Sequence, residues 1–201
     1  MNHRDQEILE NLKKFYVLDR DQLIQLHFQE QKQPITTCNR IMNRLASKGL
    51  VKVDRTTRPY NYFHNETNMK LNSTKIPHFK AITQNFKAIT QTYLDLTHFT
   101  KPSIFEVEMK LGAKGTIEPD LYVVWNGAPM FIELQRNRYT IKVMQAKIDR
   151  YQAYYDSREW KKFTEQFPFI LILSDTRYNI DTGSLGVYQA KDIQDFIKGY
   201  F

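Results

Sequence analysis

A single cysteine, Cys38, among 201 residues excludes an intrachain disulfide and any zinc cluster built on two or more thiolates, and it fits a cytoplasmic location. No apolar run approaches the roughly 18–20 residues of a membrane span, and the polar start Met1-Asn2-His3-Arg4-Asp5-Gln6 does not read as a signal peptide. A membrane partner is therefore not expected. Internal repeats and low-complexity tracts are absent as well. The five histidines, His3, His27, His64, His78 and His98, show no ligand spacing such as i, i+4 and read as structural or surface residues. What remains is an ordinary globular composition, 41% hydrophobic and 25% charged, long enough for one large domain or two small ones.

Negative charge is the other scarcity. Lys and Arg outnumber Asp and Glu by 29 to 22. The excess is N-terminal: residues 1–75 hold 13 basic and 8 acidic side chains, residues 76–201 hold 16 and 14. Within residues 32–58, Lys32, Arg40, Arg44, Lys48, Lys52, Arg55 and Arg58 face one acid, Asp54. A solvated charged face usually mixes its signs, so this run favours an anionic partner, with nucleic acid ahead.

Apolar spacing supplies the local structure. Asp5 is placed to cap a helix carrying Ile8, Leu9, Leu12, Phe15 and Tyr16. Asp19 caps a second, with Leu23, Ile24 and Phe28 inward. A third runs from about Ile35 to Lys48, burying Cys38, Ile41, Met42 and Leu45 and stopped by Gly49. Its outward face carries Thr36, Thr37, Arg40, Asn43, Arg44 and Ser47, types that reach base edges and phosphates. Two β-prone segments, 50–53 and 60–63, then flank a turn holding Arg55 and Arg58. Three helices and a basic hairpin in this order resemble the winged helix-turn-helix domains of bacterial DNA-binding proteins, and Arg44-Leu45-Ala46-Ser47-Lys48-Gly49-Leu50-Val51 is typical of them. The resemblance covers residues 4–64 of a domain read as 1–64 and implies double-stranded DNA as partner; some such domains instead dock other proteins.

Residues 65–78 read as a linker, and 79–201 as a second domain. It opens with a helix over 79–99 whose stripe, Phe79, Ile82, Phe86, Ile89, Tyr93 and Leu96, should pack on a sheet. Alternation over 104–111 predicts a strand with Phe105, Val107, Met109 and Leu111 on one face. Asn126-Gly127 is a strong hairpin signal, and a two-residue turn there pairs Trp125 with Ala128, Tyr122 with Phe131, Asp120 with Glu133 and Glu118 with Gln135. Opposed Cβ atoms lie roughly 4.5–5.5 Å apart, so the turn brings two carboxylates together. Such a pair is the usual way to hold Mg²⁺ or Mn²⁺ for phosphodiester hydrolysis; the alternative is a solvent-exposed pair at a fraying strand end. A helix over 140–157 with Ile141, Met144, Ile148, Tyr151 and Tyr155 inward, a buried parallel-type strand over 167–173 and a last helix over 190–198, stopped by Gly199, complete the pattern.

Pro119-Asp120, a hairpin, then Glu133-Leu134-Gln135 resembles the PD-(D/E)XK (restriction-endonuclease-like) fold, with Gln135 where that family has lysine. The Glu133–Arg136 strand end followed by a helix with Lys147 and Tyr151 resembles the replication-relaxation family of plasmid and mobile-element proteins, in which a winged helix precedes such a domain. The resemblance implies an α/β (α+β) chain with a central mixed sheet flanked by helices. It further implies a DNA-binding accessory protein of plasmid or mobile-element replication or mobilisation, of the relaxosome type, with a relaxase or replication protein as partner and a homodimer as the self-pairing option. Thr36, Thr37, Arg40, Asn43, Arg44, Arg55 and Arg58 are the expected DNA contacts. The rival function is a Mg²⁺- or Mn²⁺-dependent endonuclease with Asp120, Glu133 and Gln135 catalytic and Asp120, Glu133 and Glu108 as metal ligands. Glutamine at 135 donates only a neutral hydrogen bond to a phosphate, so Lys142 or Lys147 is the stand-in cation. A transcriptional repressor with a dimerising second domain is the third reading.

Overall fold

The computed structural model describes residues 1–67, 76–112 and 116–200, with 76–79 described through their backbone. It divides into two compact units, Met1–Leu94 and Asp95–Phe201. Among the described residues the chain is mixed α/β, with six α-helices, a small three-stranded sheet and a mixed five-stranded sheet. None of these helices is long and apolar enough to cross a membrane.

In the first unit, α1 (His3–Phe15) buries Ile8, Leu9, Leu12 and Phe15, the stripe its spacing predicts. Its cap differs from expectation: Asn2, not Asp5, accepts the orphan N–H, that of Asp5 itself, at 2.8 Å. Asp5 thereby falls in the first turn, where the helix dipole favours a carboxylate. Tyr16 leaves the helix in a left-handed conformation (φ 63°) and stacks its ring on Phe86, centroids 4.6 Å apart. The two residues of β1 (Leu18–Asp19) are too short for a periodicity reading to register, and they lead into α2 (Arg20–His27). Asp19 caps α2 as expected, in a reciprocal arrangement with Gln22. Pro34 opens α3 (Pro34–Ser47), whose buried face is Cys38, Ile41, Met42 and Leu45. Gly49, at φ 69°, supplies the left-handed turn that lets Leu50 N–H reach back to Leu45 C=O. Strands β2 (Val51–Asp54) and β3 (Asn61–His64) pair antiparallel, and β1 adds to β3, giving the order β1-β3-β2.

Helix α4 (Ile76–Phe99) contains the division between the units. The expected linker over 65–78 falls largely on residues 68–75, which lie outside the described residues, as does the Phe79 side chain. Up to Leu94 the helix belongs to the first unit. Phe86 meets Tyr16, and Tyr93 meets Phe15. Two polar anchors hold it there: the Lys87 carbonyl accepts from Gln22 Nε2 at 2.8 Å, and its ammonium pairs with Asp19 at 2.7 Å.

The second unit is built on β4 (Ile104–Val107), β5 (Leu121–Trp125), β6 (Ala128–Gln135), β7 (Phe169–Ser174) and β8 (Val187–Ala190), in that spatial order. The first three are antiparallel, while β6, β7 and β8 run parallel. The β5–β6 register is the one the turn predicts, Trp125 opposite Ala128 and Tyr122 opposite Phe131, with Asn126 and Gly127 both at positive φ. Helix α5 (Ile141–Ser157) covers one face, where Tyr122, Phe131, Ile170 and Ile172 form a core with Met144, Ile148 and Tyr151. Phe169 points the other way and meets Phe196 of α6 (Ile193–Tyr200).

Four expectations are corrected here. The strand over 104–111 ends at Val107, because Glu108 adopts φ 52° and turns the chain; Met109 and Leu111 then join the α5-side core, whereas Phe105 stays opposite Val123 on the other face. The inward stripe of α5 takes in Tyr154 as well as Tyr155, which packs half-buried against the same core and stacks on Trp160 of a short 3₁₀ helix, whereas Ile141 at the first turn is 56% exposed and stands outside it. Residues 187–190, expected in part to open the last helix, form β8. Gly199 lies inside α6 and does not stop it.

Asp19 is the residue on which the first unit converges, capping α2 and holding α4. Asp19→Ala is expected to lower stability by about 2 kcal/mol, the upper end for a lost cap, read as a reduced urea midpoint with unchanged slope. A loss under about 0.5 kcal/mol would mean the cap and the Lys87 pair are both dispensable.

Candidate functional site

The first candidate is the outer surface of α3 and the β2–β3 hairpin. The alternation of buried Cys38, Ile41, Met42 and Leu45 leaves Thr36, Arg40, Asn43, Arg44 and Ser47 exposed and Thr37 half-buried. Asn43, Ala46 and Ser47 of α3 line a groove of about 420 Å³ with Val51 and Val53 of β2 and Arg55 of the turn. At the turn, the Arg58 guanidinium lies 4.0 Å from the Tyr60 ring centroid and donates to the Arg55 and Thr57 carbonyls, each at 3.3 Å. These bonds order the tip while leaving Arg55 and Arg58 exposed.

Two charges behave otherwise than a count along the chain implies. Asp54, the lone acid of the basic segment, is buried, and its Oδ1 accepts from Thr56 N at 2.9 Å and Thr56 Oγ1 at 2.6 Å. Arg44 donates to the buried Asp5 carboxylate at 2.5 Å, so part of its guanidinium is committed to joining α3 to α1. Among residues 32–58 every exposed charged side chain is thus basic: Lys32, Arg40, Arg44, Lys48, Lys52, Arg55 and Arg58. Nearby, His27 shares a 3.1 Å hydrogen bond with Asn11, and burial lowers its pKa to about 4, so it is neutral and structural at pH 7.

The second candidate surrounds Glu133, a buried carboxylate on the α5-facing side of β6. Lys147 and Tyr151, one helical turn apart on α5, both point at it. Lys147 Nζ pairs with Oε2 in a short contact, and Tyr151 Oη donates to Oε1 at 2.6 Å. Asp120 stands just before β5, its Oδ2 accepting from Leu134 N–H at 2.8 Å and its carbonyl from Glu108 N–H at 3.0 Å. The hairpin therefore brings Asp120, Glu133 and Glu108 into one neighbourhood. Gln135, half-buried at the end of β6, turns its amide to the Asn137 carbonyl at 3.3 Å.

The electrostatics follow from burial. Desolvation pushes the Glu133 carboxyl up to about 7, against the downward pull of Lys147, with Asp120 adding to the rise. Glu108 is raised too, first by partial desolvation and then by the charges of Asp120 and Glu118. The Tyr151 hydroxyl is driven well above its usual range by burial and by Glu133, so it remains a donor. These residues do not fit a divalent ion as they stand: both Glu133 oxygens are engaged, the counter-charge is an ammonium, and Asp120 is bonded to backbone. Among the described residues no group of three or more His, Cys, Asp or Glu side chains is gathered as a metal site. Helical spacing alone puts Lys147 beside the apolar stripe of α5, and its i, i+4 spacing with Tyr151 is the signal that both serve one buried acid.

Because the Glu133 pKa stands near 7 when folded and near 4.5 otherwise, its contribution to stability is full below about pH 4.5 and is lost as pH rises through 7. Lys147→Met removes the opposing cation and is expected to cost about 3 kcal/mol near pH 8, and much less near pH 5, where Glu133 takes a proton. Adding Glu133→Gln should restore most of the loss near pH 8. Equal losses at both pH values, or no rescue by the double variant, would show that the pair is not the reason.

A family model described as replication-relaxation matches residues 9–170, from α1 into β7. No curated protein and no solved structure matches the chain. The matched span takes in both candidate sites and most of both units, leaving β8 and α6 beyond it. The chain belongs to the replication-relaxation family, membership that suggests a role in replication or mobilisation of a plasmid or mobile element.

Proposed function

We propose that this protein is a DNA-binding accessory factor of plasmid or mobile-element replication or mobilisation, and that α1–α3 with the β2–β3 hairpin act as a winged helix-turn-helix on double-stranded DNA. The observation that carries the reading is the exposure of seven basic side chains on α3 and the hairpin and the segment before them, while the only acid of residues 32–58 is buried in its own turn. Arg40 and Asn43 are assigned to base edges, Thr36 and Thr37 to backbone phosphate, and Arg55 and Arg58 to the wing's contact with the flanking backbone. Arg44, tied to Asp5, positions α3 and adds charge.

The second unit is assigned as a PD-(D/E)XK-like scaffold that holds a relaxase, a replication protein or a second copy of the chain. Asp120, Glu133 and Gln135 are each spent on internal bonds, which favours a scaffold over an endonuclease.

In a salt titration followed by fluorescence anisotropy on a labelled duplex, log Kd should vary linearly with log salt. Arg40→Ala and Arg55→Ala should each weaken binding and shallow that slope by about 1. Binding indifferent to salt would sink the DNA assignment. Parallel incubation of supercoiled DNA with Mg²⁺, Mn²⁺ or EDTA should give no cutting. Metal-dependent cleavage lost in Asp120→Ala/Glu133→Ala would replace the accessory reading with the endonuclease.

A further inference from the structure

Between β6 and α5 lies a stretch that neither candidate site uses. Residues 136–143, Arg136-Asn137-Arg138-Tyr139-Thr140-Ile141-Lys142-Val143, are all exposed. From Leu134 to Ile148 the chain contains no Asp or Glu, while Arg136, Arg138, Lys142 and Lys147 supply four cations, of which Lys147 is committed to Glu133. Of the acids on or beside α5, Asp149 accepts from Gln145 Nε2 at 2.9 Å and the Asp181 carboxylate accepts from Gly183 N–H at 3.0 Å, while the one exposed acid that the β6–β7 register sets alongside Arg136 is Asp175, outnumbered there by Arg136, Arg138 and Lys142.

The same stretch exposes large apolar side chains. Tyr139 is 45% exposed, Ile141 56% and Val143 49%. Exposure here does not come from a loose backbone. Tyr139 N–H donates to the buried Tyr178 hydroxyl at 3.3 Å, Gln135 Nε2 donates to the Asn137 carbonyl at 3.3 Å, and Thr140 Oγ1 caps Val143 N–H at 3.3 Å. The chain is pinned from three sides, and its aromatic and basic side chains are held outward.

We propose that this β6–α5 segment is a second nucleic-acid surface, and that it takes single-stranded DNA. Arg136, Arg138 and Lys142 meet successive phosphates, and the Tyr139 ring stacks on an unpaired base, with Ile141 and Val143 beside it. Charge alone fits any polyanion, but the apolar exposure selects the form. A duplex covers its base faces by stacking and offers phosphates and groove edges, whereas a single strand presents base faces to an aromatic platform. The surface belongs wholly to the second unit and does not rest on the winged-helix reading.

The test uses the full chain and two labelled probes, an oligo-dT strand and a mixed-sequence duplex, in anisotropy titrations. Tyr139→Ala should weaken oligo-dT binding about tenfold, and Tyr139→Trp should retain it, as stacking requires. Arg136→Ala/Arg138→Ala should weaken it further and reduce its salt slope, while duplex binding by each variant stays close to that of the parent. Arg40→Ala should do the reverse, losing duplex and keeping oligo-dT, so failure of either surface is read separately. The proposal is overturned if the parent chain does not bind oligo-dT, if Tyr139→Ala and the double arginine variant bind it like the parent, or if Arg40→Ala abolishes both.

Discussion

A carboxylate with almost no water contact on the inner face of a β-strand must be met by cations and donors, and Glu133 imposes that requirement on the whole second unit. Here a helix lying over the sheet with two polar groups one turn apart answers it. Lys147 and Tyr151 do so, which fixes both the rotation of α5 about its axis and its position along β6. The neighbouring layers, Phe131 against Tyr151 and Ile170 and Ile172 against Met144 and Ile148, follow from that placement. Apolar packing supplies most of the stability, but it tolerates sliding; the buried ionic contact does not.

Comparable economies organise the first unit. Asp5 and Asp19 look from the chain like caps and surface acids, yet each is buried and paired with a cation from a distant segment, Arg44 and Lys87. The consequence for function is subtractive. Arg44 is partly withdrawn from the outer face of α3, and Asp54 is withdrawn altogether, so the exposed charge pattern differs from the linear one in both signs.

The carboxylates that the hairpin gathers in the second unit find their partners within the chain. The hairpin turn sets Asp120 beside the Glu133 strand, as a metal site would need, but the ammonium of Lys147 and the Leu134 N–H satisfy those acids without an ion.

Local chemistry determined what was legible in the chain itself. Side-chain spacing, the Asp19 cap, Pro34 and Gly49 around α3, and Asn126-Gly127 set the helices, the hairpin and its register, because each depends on neighbours within a few residues. The basic segment and the three clustered acids were likewise visible by position. What the chain could not display were matters of distance: β1 and β8, strands too short or too isolated to announce themselves without a partner to pair with; the turn at Glu108, where packing of Met109 and Leu111 outweighed alternation; and the attachment of α4 through Lys87 to Asp19. Whether a charged group faces water or another charge was decided only in three dimensions, since burial and counter-charge come from residues far away in sequence. That decision tied Arg44 to Asp5, turned Asp54 and Lys147 inward and left Arg136, Arg138 and Tyr139 outside.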